Sequence, residues 1–138
     1  MKSLLIIDDD DMYRRALSRV LSRTVCVTSS PSVEDALGLI ATDHVYDVVL
    51  CDMAFAGGLS GRDFYERTLA LAPAQADRVL ILSGSYPAVG DPLAHRFVRK
   101  AAPIDELHQR IVRLTTSRGR VESRARARGW EGSCSPSN

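Results

Sequence analysis

Apolar residues along this chain alternate between short unbroken runs and longer stretches in which they recur every three or four positions. Ser3 to Asp8 is a continuous aliphatic run that ends in acids, the pattern of a strand buried on both faces, as in a parallel sheet covered by helices. From Met12 to Leu21 the residues Met12, Ala16, Leu17, Val20 and Leu21 keep a helical period. Thr24 to Thr28 is short and β-branched. Ser30-Pro31 then offers an N-cap and a proline at the first helical position for a helix carrying Val33, Ala36, Leu37 and Ile40. Val45 to Cys51 reads as a third strand, interrupted by Asp47 and ending at Asp52, and Gly57, Gly58 and Gly61 mark a loop before a helix from about Arg62 to Leu71. A fourth strand spans Arg78 to Ser83, and a fifth, Arg96 to Arg99, stops at Lys100. After Pro103, the residues Ile104, Leu107, Ile111, Val112 and Leu114 form the stripe of a last helix, with Asp105 and Glu106 in the first turn, where the helix dipole favours negative charge.

Five strands alternating with helices predict a doubly wound α/β domain. Right-handed crossovers favour the flavodoxin-like five-stranded parallel sheet of order 2-1-3-4-5. Only 13 residues, GSYPAVGDPLAHR, separate Ser83 from Phe97, and they include two prolines and two glycines, so the fourth helix is expected to be shortened or missing.

The chain's 138 residues suit one compact domain, expected over residues 1–116. Residues 117–138 mix Arg, Gly and Ser and carry 5 basic and 2 acidic side chains, against 13 and 15 in the preceding part, so they read as a basic, mostly disordered tail. No apolar run approaches the roughly 20 residues needed to cross a bilayer, and the few residues before the first strand are too short for a signal peptide, so a cytoplasmic protein without membrane contact is expected. Cys26, Cys51 and Cys134 are an odd set without metal-ligand spacing, which argues against a zinc site or a disulfide framework. The arginines at 118, 120, 124, 126 and 128 accompany no recognition motif, and no specific nucleic acid is expected as a partner.

The chemistry concentrates at strand ends. Asp8 and Asp9 close the first strand and Asp52 the third, which the predicted order makes neighbours at the crevice where open α/β sheets bind ligands. Converging carboxylates either raise their own pKa values or recruit a cation, and hard oxygen donors without Cys or His favour Mg2+. Lys100 at the end of the fifth strand and the hydroxyl of Ser83 at the end of the fourth reach the same edge. A nucleophilic carboxylate, a metal site, a lysine and a small hydroxyl donor are what phosphoryl transfer to an aspartate requires.

The run LLIIDDDDMYRRAL, the strand DVVLCD, the strand ILSG and FVRK followed by PIDEL together resemble the landmarks of response-regulator receiver domains, over residues 3 to about 115. The resemblance implies Asp8 and Asp9 as metal-binding acids, Asp52 as phosphoacceptor and metal ligand, the backbone carbonyl of Ala54 as a further metal ligand, Ser83 as phosphate sensor, Lys100 as phosphate clamp and Phe97 as the aromatic switch. It also implies Mg2+ as cofactor, a histidine kinase or histidine phosphotransfer protein as phosphodonor, a downstream protein as target, and no catalysis beyond self-phosphorylation and autodephosphorylation at Asp52. With about 22 residues beyond the last helix, no effector module is expected and a stand-alone receiver is implied.

Three features depart from the family pattern. Lys100 is followed by Ala101-Ala102-Pro103 rather than directly by proline, so the Lys100-Ala101 peptide is expected to be trans. The loop after Asp52, MAFAGGLSG, lacks the usual proline and is one residue longer than the common form. The third is the truncated fourth helix.

Other readings compete. Asp10 and Asp11 suit a helix N-cap better than a ligand role. Ser83 and Phe97 taken singly are ordinary strand residues, and His44, His95 and His108 join no constellation. A degenerate receiver would keep the fold as a phosphorylation-independent interaction module. A phosphatase of the haloacid dehalogenase kind would use the pair Asp8 and Asp10, although Met12 stands where such motifs usually carry a hydroxyl or β-branched residue.

Overall fold

The computed structural model describes residues 2–42 and 44–117. The expected basic tail therefore lies outside the described residues. Five strands, β1 (Lys2–Ile7), β2 (Val25–Ser30), β3 (Val48–Asp52), β4 (Val79–Ser83) and β5 (Phe97–Arg99), pair in parallel in the order β2-β1-β3-β4-β5. The helices are α1 (Asp11–Leu21), α2 (Val33–Ile40), α3 (Gly61–Leu71), a single turn α4 (Pro73–Ala76) just before β4, and α5 (Ile104–Ser117).

The unbroken aliphatic runs are explained by burial on two faces. Leu4 and Ile6, with Val48, Leu50, Leu80 and Leu82, face Leu17 and Leu21 of α1 and Leu107 and Ile111 of α5. Leu5 and Ile7, with Val49, Cys51, Val79 and Ile81, face Val33, Ala36 and Ile40 of α2 and Phe64 of α3. Each such aliphatic side chain contributes on the order of 1.5–3 kcal/mol through burial.

The inward stripe of α1 differs from the expected one. Met12 is 81% exposed and Val20 43%, while Tyr13, Leu17 and Leu21, spaced four apart, turn toward the sheet. Val112 likewise points outward from α5, where Leu107, Ile111 and Leu114 pack inward. The start of α2 also shifts. Ser30 closes β2, Ser32 is the N-cap and its hydroxyl accepts from the Asp35 amide, so Pro31 precedes the helix. At α1 the expected cap is found: the Asp10 carboxylate accepts from the Tyr13 amide at 3.1 Å.

Between β4 and β5 the chain makes only a 3-10 turn at Ala94–Arg96. Gly90 adopts a left-handed φ of 83°, and Asp91 anchors the approach to that turn: its amide donates to Ala88 O, its carboxylate accepts from the Leu93 amide at 2.9 Å and pairs with Arg62 of α3 at 2.5 Å. The open edge of the sheet is covered as well, since the Arg110 guanidinium donates to Phe97 O and His95 O.

At the opposite end of the sheet from the acidic crevice, a second polar cluster is structural. Buried Asp47 accepts from the Ser3 amide at 2.7 Å and the Ser3 hydroxyl at 3.2 Å, and Gln75 brackets the Tyr46 backbone with two hydrogen bonds. Cys51 is a free, buried thiol; Cys134 lies outside the described residues.

Candidate functional site

The strand order makes β3 the neighbour of β1, so the acids that end these strands meet. The Asp8 amide donates to Ser30 O of β2, the Asp8 carboxylate accepts from the Asp10 amide at 2.9 Å, and Arg14 donates to the Asp8 carbonyl at 2.6 Å. These bonds fix the turn from β1 into α1 with the Asp8 side chain fully buried and Asp9 exposed above it. One oxygen from each of Asp8, Asp9 and Asp52 lies within 4.8 Å of the others.

The loop after β3 is tied to these acids. The Met53 amide continues the sheet by donating to Leu82 O, Ala54 donates its backbone amide to the Asp52 carboxylate, and the Ala56 amide donates to Asp9 at 3.0 Å. Gly61, the first residue of α3, then packs directly on the backbone at the end of β3: a Cβ there would lie 2.3 Å from Asp52 O. The sequence pattern marks Gly61 only as a loop residue. It also leaves unread the Ser60–Asp63 capping box that starts α3 from this point.

Lys100 reaches the acids although no proline follows it. Its peptide to Ala101 is trans, as expected, and its amide donates to Ser83 O at 2.7 Å, which extends the β4–β5 pairing by one residue. The ammonium lies 2.7 Å from Asp8 Oδ2 and 3.4 Å from Asp52 Oδ2. The shorter contact, with Asp8, is the stronger ion pair, and the longer one, with Asp52, is a hydrogen bond.

Burial raises the pKa of Asp52, and the neighbouring Asp8 charge raises it further; Lys100 and the Ala54 amide offset this only in part. For Lys100, burial works against the charged form, but contact with Asp8 and the charge of Asp52 prevail and its pKa is raised. The crevice thus carries excess negative charge, three carboxylates against one ammonium. Three carboxylates with no His or Cys ligand among them fit a hard divalent cation of the Mg2+ type.

Ser83 is buried at the end of β4, one register position beyond the Asp52–Leu82 pair, with its Oγ accepting from the Ser85 amide at 3.2 Å. Phe97 is not part of this cluster. It pairs with Ile81 at the start of β5, half-buried against the core beneath α2 and α3. Asp10, the second acid of the Asp-x-Asp alternative, is engaged as the cap of α1. Tyr13, passed over in the sequence, lies beside Lys100, its ring centroid 4.5 Å from the ammonium.

No family model matches the sequence, and no curated protein matches it. Solved structures do. A response regulator receiver domain from Clostridium thermocellum superposes with a TM-score of 0.76 at 23% identity, over 88% of this chain and 99% of that one. Response regulator protein TrrA from Thermotoga maritima, solved in complex with Mg2+ and BeF, gives 0.69 at 22% identity, over 83% and 99%. A chain described as adenylate cyclase from Rhodopirellula baltica gives 0.72 at 22%, over 91% and 96%. The chain has the fold of response-regulator receiver domains. Among the described residues, no helix is long and apolar enough to cross a membrane.

Proposed function

We propose that this chain is a phosphoryl-accepting receiver of a two-component phosphorelay, with Asp52 as acceptor. The observation that carries this reading is the meeting of Asp8, Asp9, Asp52 and Lys100, from three separate strand ends, in one crevice. One carboxylate oxygen of Asp52 attacks phosphorus, the bond from phosphorus to the donor's imidazole nitrogen breaks, and that nitrogen keeps the electron pair. The product is an acyl phosphate on Asp52. Lys100 places its positive charge against the phosphoryl oxygens, and Ser83, whose Oγ accepts from the Ser85 amide and keeps its own proton, donates its hydroxyl to one of them.

Asp8, Asp9 and Asp52, with the backbone carbonyl of Ala54, would hold Mg2+, whose charge when bound offsets that of the incoming phosphoryl group. The donor is a histidine kinase or histidine phosphotransfer protein, which places the protein in the cytoplasm. The output is contact with a downstream protein rather than turnover of a substrate. Phe97, without a hydroxyl, would respond to Ser83 through packing alone.

A second reading, a receiver used without phosphorylation, is favoured by one observation: Lys100 already pairs with Asp8, so the acids are partly neutralised without a cation. Amide chemical shifts recorded with Mg2+ and beryllofluoride separate the two. The phosphorelay reading requires changes at Asp52, Ala54, Ser83 and Lys100; an unchanged spectrum would select the second reading.

A further inference from the structure

We propose that Tyr13 is a positioning residue for Lys100, its ring holding the ammonium over the acidic crevice; the inference rests on the phosphoryl-transfer reading above. Lys100 follows a three-residue strand at the edge of the sheet, and the chain turns immediately afterwards, with the Ala102 amide donating to Arg99 O at 3.0 Å. The backbone is therefore anchored on one side only, through Ser83 O. A lysine carries its charge on a four-carbon stem with many rotamers, and this side chain is 26% exposed. Asp8 and Asp52 hold the ammonium from one side, and a contact from the other side restricts it further.

Tyr13 is built to do so from another element. It stands one and two turns before Leu17 and Leu21 on the inward face of α1, and the three pack together against the sheet, so the ring is carried by a different element from Lys100. Its face lies 4.5 Å from Lys100 Nζ, within the range of a cation–π contact, while its hydroxyl reaches toward Lys100 O at 3.5 Å. A neutral ring attracts the ammonium without competing with Asp8 and Asp52 for its charge as a further carboxylate would. Met12, the neighbouring residue that the sequence pattern favoured for the inward face, points to solvent instead.

The test compares wild type, Tyr13→Phe and Tyr13→Leu in three measurements: the ring-current shift of the Lys100 Hε protons, Mg2+ affinity read from the amides of Asp52 and Ala54, and the rate of phosphorylation by acetyl phosphate. The Lys100 Hε protons are expected upfield in wild type and Tyr13→Phe and at their ordinary position in Tyr13→Leu. Phosphorylation of Tyr13→Leu should slow by roughly 5- to 20-fold, and that of Tyr13→Phe by no more than about twofold, with Mg2+ affinity retained in all three. A wild-type rate in Tyr13→Leu, absence of the upfield shift in wild type, or loss of Mg2+ affinity in step with the rate would overturn the role of Tyr13. A wild type that is never phosphorylated overturns the phosphoryl-transfer reading instead, and the ring-current comparison then decides by itself whether Tyr13 holds the lysine.

Discussion

Replacing Gly61 with alanine should damage the acceptor site without touching any ionisable residue. The added Cβ would lie 2.3 Å from Asp52 O and 3.0 Å from Met53 Cα, and both are backbone atoms that cannot rotate away. The first distance is about 1 Å short of an ordinary nonbonded contact. The first turn of α3 must therefore move off β3, or the end of β3 must move. Overpacking of this kind costs about 1–3 kcal/mol, and alanine's helix preference recovers less than about 1 kcal/mol at a helix start. A net loss of about 1–2 kcal/mol lowers Tm by roughly 5–10 °C in a domain of this size. A displacement of about 1 Å at a reacting group slows reaction by up to about 100-fold. Thermal melting and the initial rate of acetyl phosphate labelling read the two effects. Gly57→Ala is the control, because nothing lies within 4 Å of the Cβ it would add. Wild-type melting and labelling in Gly61→Ala would refute the reasoning.

Asp52→Asn should stabilise the protein at pH 7 in Mg2+-free buffer. Burial and the Asp8 charge raise the folded-state pKa of Asp52, so the wild type loses stability as pH rises from the ordinary value of 3.8 through the folded value, and the asparagine escapes that loss. Urea unfolding at pH 7 and at pH 3 checks the sign: the advantage should be present at the first and absent at the second. Asp47→Ala should cost about 2–3 kcal/mol by stranding the Ser3 amide and hydroxyl, while the folded protein labels at the wild-type rate, which separates the structural acid from the functional ones. Asp91→Ala should cost at most about 1.5 kcal/mol yet speed hydrogen exchange of the Leu93 amide, because it removes both that amide's acceptor and the Arg62 tie.

The fold was legible because its strands are buried on two faces. Leu4 to Ile7 and Val48 to Cys51 have no polar face to confuse the reading, and each run ends at an acid of the crevice. The missing helix between β4 and β5 was equally open to inspection, since Pro87, Gly90 and Pro92 disfavour any regular helix there. Helix rotation was harder. Met12 and Tyr13 are adjacent, and choosing between them requires knowing that Lys100 and the sheet lie beneath the second; the spacing of Tyr13, Leu17 and Leu21 carried that signal. The need for glycine at position 61 was beyond pattern reading, because it depends on α3 starting against the backbone of β3, a contact between segments that only the folded chain brings together.

The central claim is that Asp52 accepts a phosphoryl group in the crevice it shares with Asp8, Asp9 and Lys100. Intact-mass measurement after incubation with acetyl phosphate and Mg2+ tests it most directly. The account predicts one added phosphate on the wild type, none on Asp52→Asn and none on the wild type in excess chelator. An unmodified wild type, or equal labelling of Asp52→Asn, would contradict it.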